Sequence, residues 1–278
     1  MYMSQEFSRP FERSIIGPQL LKTAEAKAKD IREKHPINLA PFMNEDVYGR
    51  KGVFEDLAEV KRLENEFARQ TLQEQEAKRV SDVFEAYFVD AATQMQWFGN
   101  ESTVNRTARI DDYLRGVDAY TTFNSPKSRY DHLALSTDLT FSLDKSMDKI
   151  EGIMSDIAAG KMSWIKYYHN PKTGYAGKLD NLPKTVIGLD GEHLPNFIRL
   201  WTHDPSSPEL LETRNILINQ LHHQLRAFTA FADKRHGNSI IRDSYAQASK
   251  QVSSIYNHLQ LNSSLIPRDA ITDRVINL

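Results

Sequence analysis

The chain has 278 residues, a formal net charge of -2, a pI near 6.5 and no cysteine. That length buries a sizeable apolar core without covalent staples, and the missing cysteines exclude disulfides, thiolate zinc sites, iron–sulfur ligation and a cysteine nucleophile. Near-neutral charge excludes a uniformly basic nucleic-acid coat, although one basic face can hide inside an averaged charge.

The opening MYMSQEFSRPFERS lacks the apolar stretch of a secretion leader, and no uncharged apolar run is long enough to span a bilayer. A cytoplasmic chain with no membrane contact is expected, so the sequons at Asn100, Asn105 and Asn262 carry no weight.

Residues 1–76 read as a helical extension. PQLLKTAEAKAKDIREKH carries Leu20, Leu21, Ala24 and Ile31, and FEDLAEVKRLENEFARQ repeats Leu57, Val60, Leu63 and Phe67 at helical spacing. Between them PINLAPFMNEDVYGRKG is a loop punctuated by proline and glycine. The basic run Lys22, Lys27, Lys29, Arg32 and Lys34 is interleaved with Glu25, Asp30 and Glu33, the pattern of a solvated helix face more than of a phosphate track. AKRVSDVFEAYFVDAATQMQWFG then carries Val80, Phe84, Tyr87, Phe88, Ala91 and Met95, a stripe wide enough to be buried, with Glu85 at its edge.

Between 104 and 190 the period shortens. VNRTARIDDYL, GVDAYTTF, DHLALSTDLTF, SWIKYYH and KTVIGLD are strand candidates. One amphipathic helix interrupts them: LDKSMDKIEGIMSDIAAG places Leu143, Met147, Ile150, Met154 and Ile157 on one face, with Ser142 as N-cap and Gly160 as stop. Residues 77–192 are therefore expected to form a mixed α/β core around a central mixed sheet. From 193 to 260 helices return: Leu210, Leu217, Leu221, Leu225 and Phe228 share a face, as do Ile241, Tyr245, Ala248, Val252, Ile255 and Leu259. Gly237–Asn238 marks the turn of an antiparallel helical hairpin that covers the core or mediates a homodimer. Residues 261–278 show no periodicity and read as an extended tail.

The chemistry lies in the acids. Side chains alternate across a strand, so Asp138 shares the polar, small-residue face of HLALSTDLTF with Ala134, Ser136 and Thr140, while Asp118 shares a face with Tyr120 and Thr122. If the two strands pair, Asp118 and Asp138 converge. Two adjacent carboxylates repel unless a cation joins them, and Mg²⁺ or Mn²⁺ suits oxygen ligands. A metal there could stabilise charge on a scissile phosphate and acidify a water. Lysines within reach, Lys149, Lys145 or Lys166, could orient that water or offset phosphoryl charge. Carboxylates more than about 8 Å apart could not share such an ion.

A helix with an embedded Glu, then GVD, then a strand ending in TDLT, then a helix and a strand resembles the PD-(D/E)XK nuclease-like superfamily, which includes restriction endonucleases and archaeal Holliday-junction resolvases. The resemblance covers residues 77–190. It implies a restriction-endonuclease-like core, an Mg²⁺- or Mn²⁺-dependent nuclease acting on nucleic acid, DNA foremost, metal-binding Asp118 and Asp138, and an assisting Glu85. The family motif wants a lysine two residues after the second acid, where this chain has Thr140. Lys149, Lys145 or Lys166 would then be the recruited lysine, or catalysis is lost and the fold serves binding or assembly.

Each residue also has a bland reading. Asp118 could terminate a turn, Asp138 could face solvent from an edge strand, and Glu85 could flank a helix stripe. QLHHQL reads as a polar or interface face because adjacent helical histidines point about 100° apart. Trp164, Tyr167 and Tyr168 could stack on bases but more readily pack on a sheet. No phosphate-loop, dinucleotide, nucleophile-elbow or zincin motif occurs.

Overall fold

The computed structural model describes residues 16–123, 133–140, 143–170, 173–191, 193–235, 239–261, 266 and 269–276. α1 (Pro18–Lys34) starts on a proline, whose fixed φ suits a first helical turn, and turns Leu21, Ala24, Ala28 and Ile31 inward. A 3-10 turn (Ala40–Met43) leads to α2 (Gly49–Phe67), and α3 (Leu72–Gln94) opens with a capping box in which the Thr71 hydroxyl and the Glu74 carboxylate accept each other's backbone N–H. The expected stripe of α3 is buried, and it shares one core with α1. A boundary at residue 77 thus falls inside α3. α2 differs from expectation in depth: it buries Val53, while Leu57 is exposed.

The next elements are β1 (Ser102–Arg106), α4 (Arg109–Arg115), β2 (Ala119–Phe123), β3 (Leu133–Thr140), α5 (Leu143–Ala158), β4 (Ser163–Asn170), β5 (Tyr175–Leu182) and β6 (Lys184–Gly188). The central sheet is mixed, in the order β1-β2-β3-β6, with β2 antiparallel to both neighbours and β6 parallel to β3 across the α5 crossover. Helices flank it, as the sequence pattern implies.

One strand expectation fails and another holds outside the central sheet. RIDDYLR is helical, because Asp111 and Asp112 suit the positive end of a first turn and Gly116 terminates it in the left-handed region. SWIKYYH is a strand that stays out of the central sheet, pairing with β5 in a two-stranded hairpin inserted between α5 and β6. YAGKLDNL gives no strand signal because it holds few β-branched or aromatic residues. Tyr167 and Tyr168 are buried against Phe42 and Tyr120, so their aromatic rings serve packing. Phe141, the Ser142 cap and the Gly237–Asn238 turn lie outside the described residues.

α6 (His193–His203), α7 (Leu210–Arg235), α8 (Ser239–His258) and α9 (Ala270–Ile276) complete the chain. α7 and α8 run antiparallel: His222 stacks on Tyr256, Phe228 meets Tyr245, and Asp233 faces Arg242. Their heptad-like faces enter the common core, which removes the reason to expect a dimer through them. The tail is not an extended arm over 270–276. α9 packs on α7 and α5, its start capped by Asp269, which accepts from the Thr272 N–H and hydroxyl.

α7 also closes the edge of β6. Gln224 accepts from Val186 N–H and donates to Val186 O, and Gln220 does the same with Gly188. Both glutamines are fully buried. Positions i and i+4 of a helix stand about one turn apart, close to the spacing of alternate strand residues, so two amides take the place of a neighbouring strand.

Candidate active site

The GVD turn is built around a close approach. Gly116 has φ 58° and ψ 44°, a region that penalises a Cβ. Space forbids a side chain as well, since a Cβ would lie 3.1 Å from Lys184 Nζ and 3.3 Å from Asp138 Oδ2. Val117 then fills a small cluster with Tyr120, Ile165, Tyr168 and Leu182. Asp118 follows: its N–H donates to Thr137 O (3.0 Å) and its Oδ2 accepts the Leu139 N–H (2.6 Å). Asp118 therefore straddles residue 138 of the neighbouring strand.

Asp138 lies on β3 between β2 and β6 and is 5% exposed, which excludes the solvent-facing edge strand. Both its oxygens meet ammonium groups. Lys149 Nζ, from α5, is 2.5 Å from Oδ1, and Lys184 Nζ, from β6, is 3.4 Å from Oδ2. Lys149 also donates to Leu139 O at 3.4 Å and Lys184 to Arg115 O at 3.2 Å. Although part of its surface reaches solvent, Asp118 is held well above the usual carboxylate range, first by burial and then by the Asp138 charge, with Asp112 and Glu85 adding to it.

Behind the pair stands an arginine hub. Arg109 Nη1 lies 3.1 Å from Asp82, 3.2 Å from Asp112 and 3.8 Å from Glu85, and Lys78 Nζ is 2.9 Å from Asp82. Burial pushes the Glu85 carboxyl up to about 7, against the pull of Arg109. Burial also pushes Asp82 up, but Arg109 and Lys78 together outweigh it and keep that carboxyl below its ordinary value. The closest charged partner of Glu85 is thus Arg109, and Glu85 reaches Asp118 through its field. Asp112 belongs to this hub. Asp111 instead fastens α4 to β4, accepting the backbone N–H groups of Lys166 (2.7 Å) and Tyr167 (3.1 Å) and pairing with Arg115 (3.1 Å).

Of the three lysines expected near the acids, Lys149 touches Asp138. Lys145 is exposed and lines a groove of about 500 Å³ together with Lys78, Ser81, Thr140 and Lys149. Lys166 is turned away, its Nζ 2.6 Å from Asp56 and over the Tyr48 ring, because Asp111 fixes its backbone on the α4 and α2 side. Sequence reasoning misses Lys184. Its only signal there is that it is the cation at the head of the apolar run KTVIG. His222 bonds Ser253 (3.2 Å) in the helix interface, and burial pulls its pKa to about 4, so it stays neutral there.

Among the described residues no group of three or more His, Asp or Glu could hold a metal. The oxygens that do converge are the Asp118 and Asp138 carboxylates and Leu139 O, with the Lys149 ammonium between the last two. All are hard donors, and Mg²⁺ needs only one or two carboxylates when water and phosphate supply the rest, so this donor set fits such an ion. Among the described residues no helix is long and apolar enough to cross a membrane. No family model, curated protein or solved structure matches this chain.

Proposed function

We propose that this chain is a metal-dependent nuclease of the PD-(D/E)XK type, hydrolysing phosphodiesters of nucleic acid, DNA foremost, on a restriction-endonuclease-like core. The observation that carries the reading is the adjacency of Asp118 and Asp138 with Lys149 on Asp138. In that arrangement an ammonium from α5 stands in for the lysine absent at Thr140. The order α3, β1, β2, β3, α5, β6, interrupted by α4 and by the β4–β5 hairpin, with Glu85 on α3, Asp118 just before β2 and Asp138 on β3, supports it too.

Asp118 and Asp138 would hold Mg²⁺ or Mn²⁺, whose charge stabilises the transition state and acidifies a water. Lys149, which sits on Asp138, would donate to the phosphate or orient the water. Lys184 keeps the far oxygen of Asp138 in place. Lys78 and Lys145 line the groove through which the phosphate backbone reaches the acids. Arg109 keeps Glu85 beside Asp118.

The test is cleavage of labelled single-stranded, duplex and branched DNA, and of RNA, in Mg²⁺ or Mn²⁺. Wild type cleaves at least one substrate, EDTA stops it, and Asp138→Ala lowers the rate by a thousandfold or more, on the order expected for losing metal-ion catalysis. Equal rates in wild type and variant sink the reading. A second reading, a non-catalytic nucleic-acid-binding or assembly protein on the same fold, is favoured by the two ammonium groups that already neutralise Asp138. It predicts metal-independent binding with no cleavage.

A further inference from the structure

Lys184, which does not line that groove, lines a second, smaller cavity of about 270 Å³, where α4, the end of α5, the start of β4 and α8 meet. Three cations line it: Arg115, Lys161 and Lys184, with Asp156 as their acidic neighbour. Arg115 is fixed in place, its guanidinium 3.8 Å from the centre of the Trp164 ring and its Nη1 bonded to Ile110 O (3.2 Å) and Asp111 (3.1 Å). Lys178 covers Trp164 as well, so the indole is a wall of the cavity and not a platform for a base. The opposite edge of the guanidinium is unused. Arg115 Nε is buried without a hydrogen-bond partner, and Nη2 has none among the described residues. Lys161 Nζ has no ion-pair partner among the described residues either.

A buried guanidinium donor left unpaired costs free energy. Arg115 Nη2, with the Lys161 and Lys184 ammonium groups beside it, offers charge-assisted donors to the oxygens of a phosphate.

We propose that this cavity is a phosphate subsite, bound by Arg115 and Lys161 with Lys184 shared between it and Asp138. It rests on the nuclease reading in one respect, the identity of its ligand: a phosphate of the strand flanking the scissile bond. Lys149 and Lys184 bracket Asp138, so the strand would run from the 500 Å³ groove, over the acid pair, into the 270 Å³ cavity. The cavity is below the roughly 300–1,000 Å³ of drug-sized sites, a size for one phosphate and part of its sugar.

Binding of inorganic phosphate to the full chain in EDTA, followed by ³¹P line broadening, tests the subsite without catalysis. A fluorescent single-stranded oligonucleotide in EDTA tests the strand path. Wild type binds phosphate saturably, and Lys161→Ala weakens both ligands about tenfold, the size expected for one charge-assisted contact. Lys250→Ala, an exposed lysine on α8, leaves both unchanged. Arg115→Lys, which keeps the charge and removes the planar guanidinium, weakens phosphate binding while circular dichroism reports whether α4 survives. Absence of saturable phosphate binding, or equal effects of the Lys161 and Lys250 variants, overturns the subsite. Cleavage with an unchanged KM in Lys161→Ala overturns it and leaves the nuclease reading standing. Phosphate binding lost in Lys161→Ala with no cleavage in any metal does the reverse.

Discussion

Two buried polar regions flank the same sheet and differ in how completely their groups are satisfied. Where α7 meets β6, Gln220 and Gln224 use their amides on both backbone groups of Gly188 and Val186, and Asp269 takes the remaining Gln220 donor and holds Thr272 as well. Where the chain enters β2 beside β3, Asp118 lies in the field of the Asp138 charge, two ammonium groups crowd one carboxylate, and at the nearby end of α4 Arg115 Nε is unpartnered. Gln220 and Gln224 are fully buried, whereas Asp118, Lys149 and Lys184 keep part of their surface open to solvent. The first region is closed, the second leaves opposed charge and an unpaired donor, and the proposed function rests on that asymmetry.

The largest effect expected from breaking the contrast is on turnover. Lys149→Met should reduce nuclease rate by about 10²–10⁴-fold, the usual range for a proton-transfer or orienting group, with little change in unfolding midpoint. A variant that unfolds readily while its residual rate per folded molecule is unchanged would move Lys149 into the structural region. On the closed side, Gln220→Leu with Gln224→Leu leaves four backbone groups of β6 unpaired and should lower stability by about 2–5 kcal/mol in urea titration. A loss within experimental error would show that β6 finds other partners.

The hub gives a pH signature. Glu85 has its folded pKa raised to about 7 from an ordinary 4.5, so the folded state holds the proton longer than the unfolded chain. Stability is then fully present below about pH 4.5 and declines as pH rises toward 7, by on the order of 2–3 kcal/mol. Glu85→Gln should flatten this slope and stabilise the protein at pH 8. An unaltered slope assigns the titration elsewhere. The smallest effect is at the glycine: Gly116→Ala should cost about 1–2 kcal/mol for its left-handed backbone and, by displacing Lys184 or Asp138, lower turnover as well.

Where sequence and structure agree, the signal is periodic or alternating. The stripes of α3, α5, α7 and α8 and the parity of Asp118 and Asp138 are legible because burial repeats along the chain. RIDDYLR misleads because an aspartate pair and a glycine look equally out of place in a strand and at home in a short helix. Tertiary contact decides it: Asp111 has a β4 backbone to bond. The inserted hairpin is half hidden, since β5 lacks strand-forming residues and is held by β4. Lys184 carries only the faint mark of a cation heading an apolar run, and Arg115 none. Their importance arises from where α4 and β6 pass Asp138, which no spacing along the chain encodes. The glutamines at 220 and 224 look like ordinary polar residues of a helix, although two amides one turn apart facing a core are a pattern that could be sought.

Asp269 has a temporal consequence. It holds Gln220, which in turn holds the β6 backbone at Gly188, so the last fastening of the central sheet comes from a residue synthesised long after the strand it secures. During translation β6 can pair with β3 while its outer edge still waits for α7 and then for residue 269 to leave the ribosome. Assembly of this sheet therefore finishes late, through contacts of long sequence separation, which are the slow ones to form.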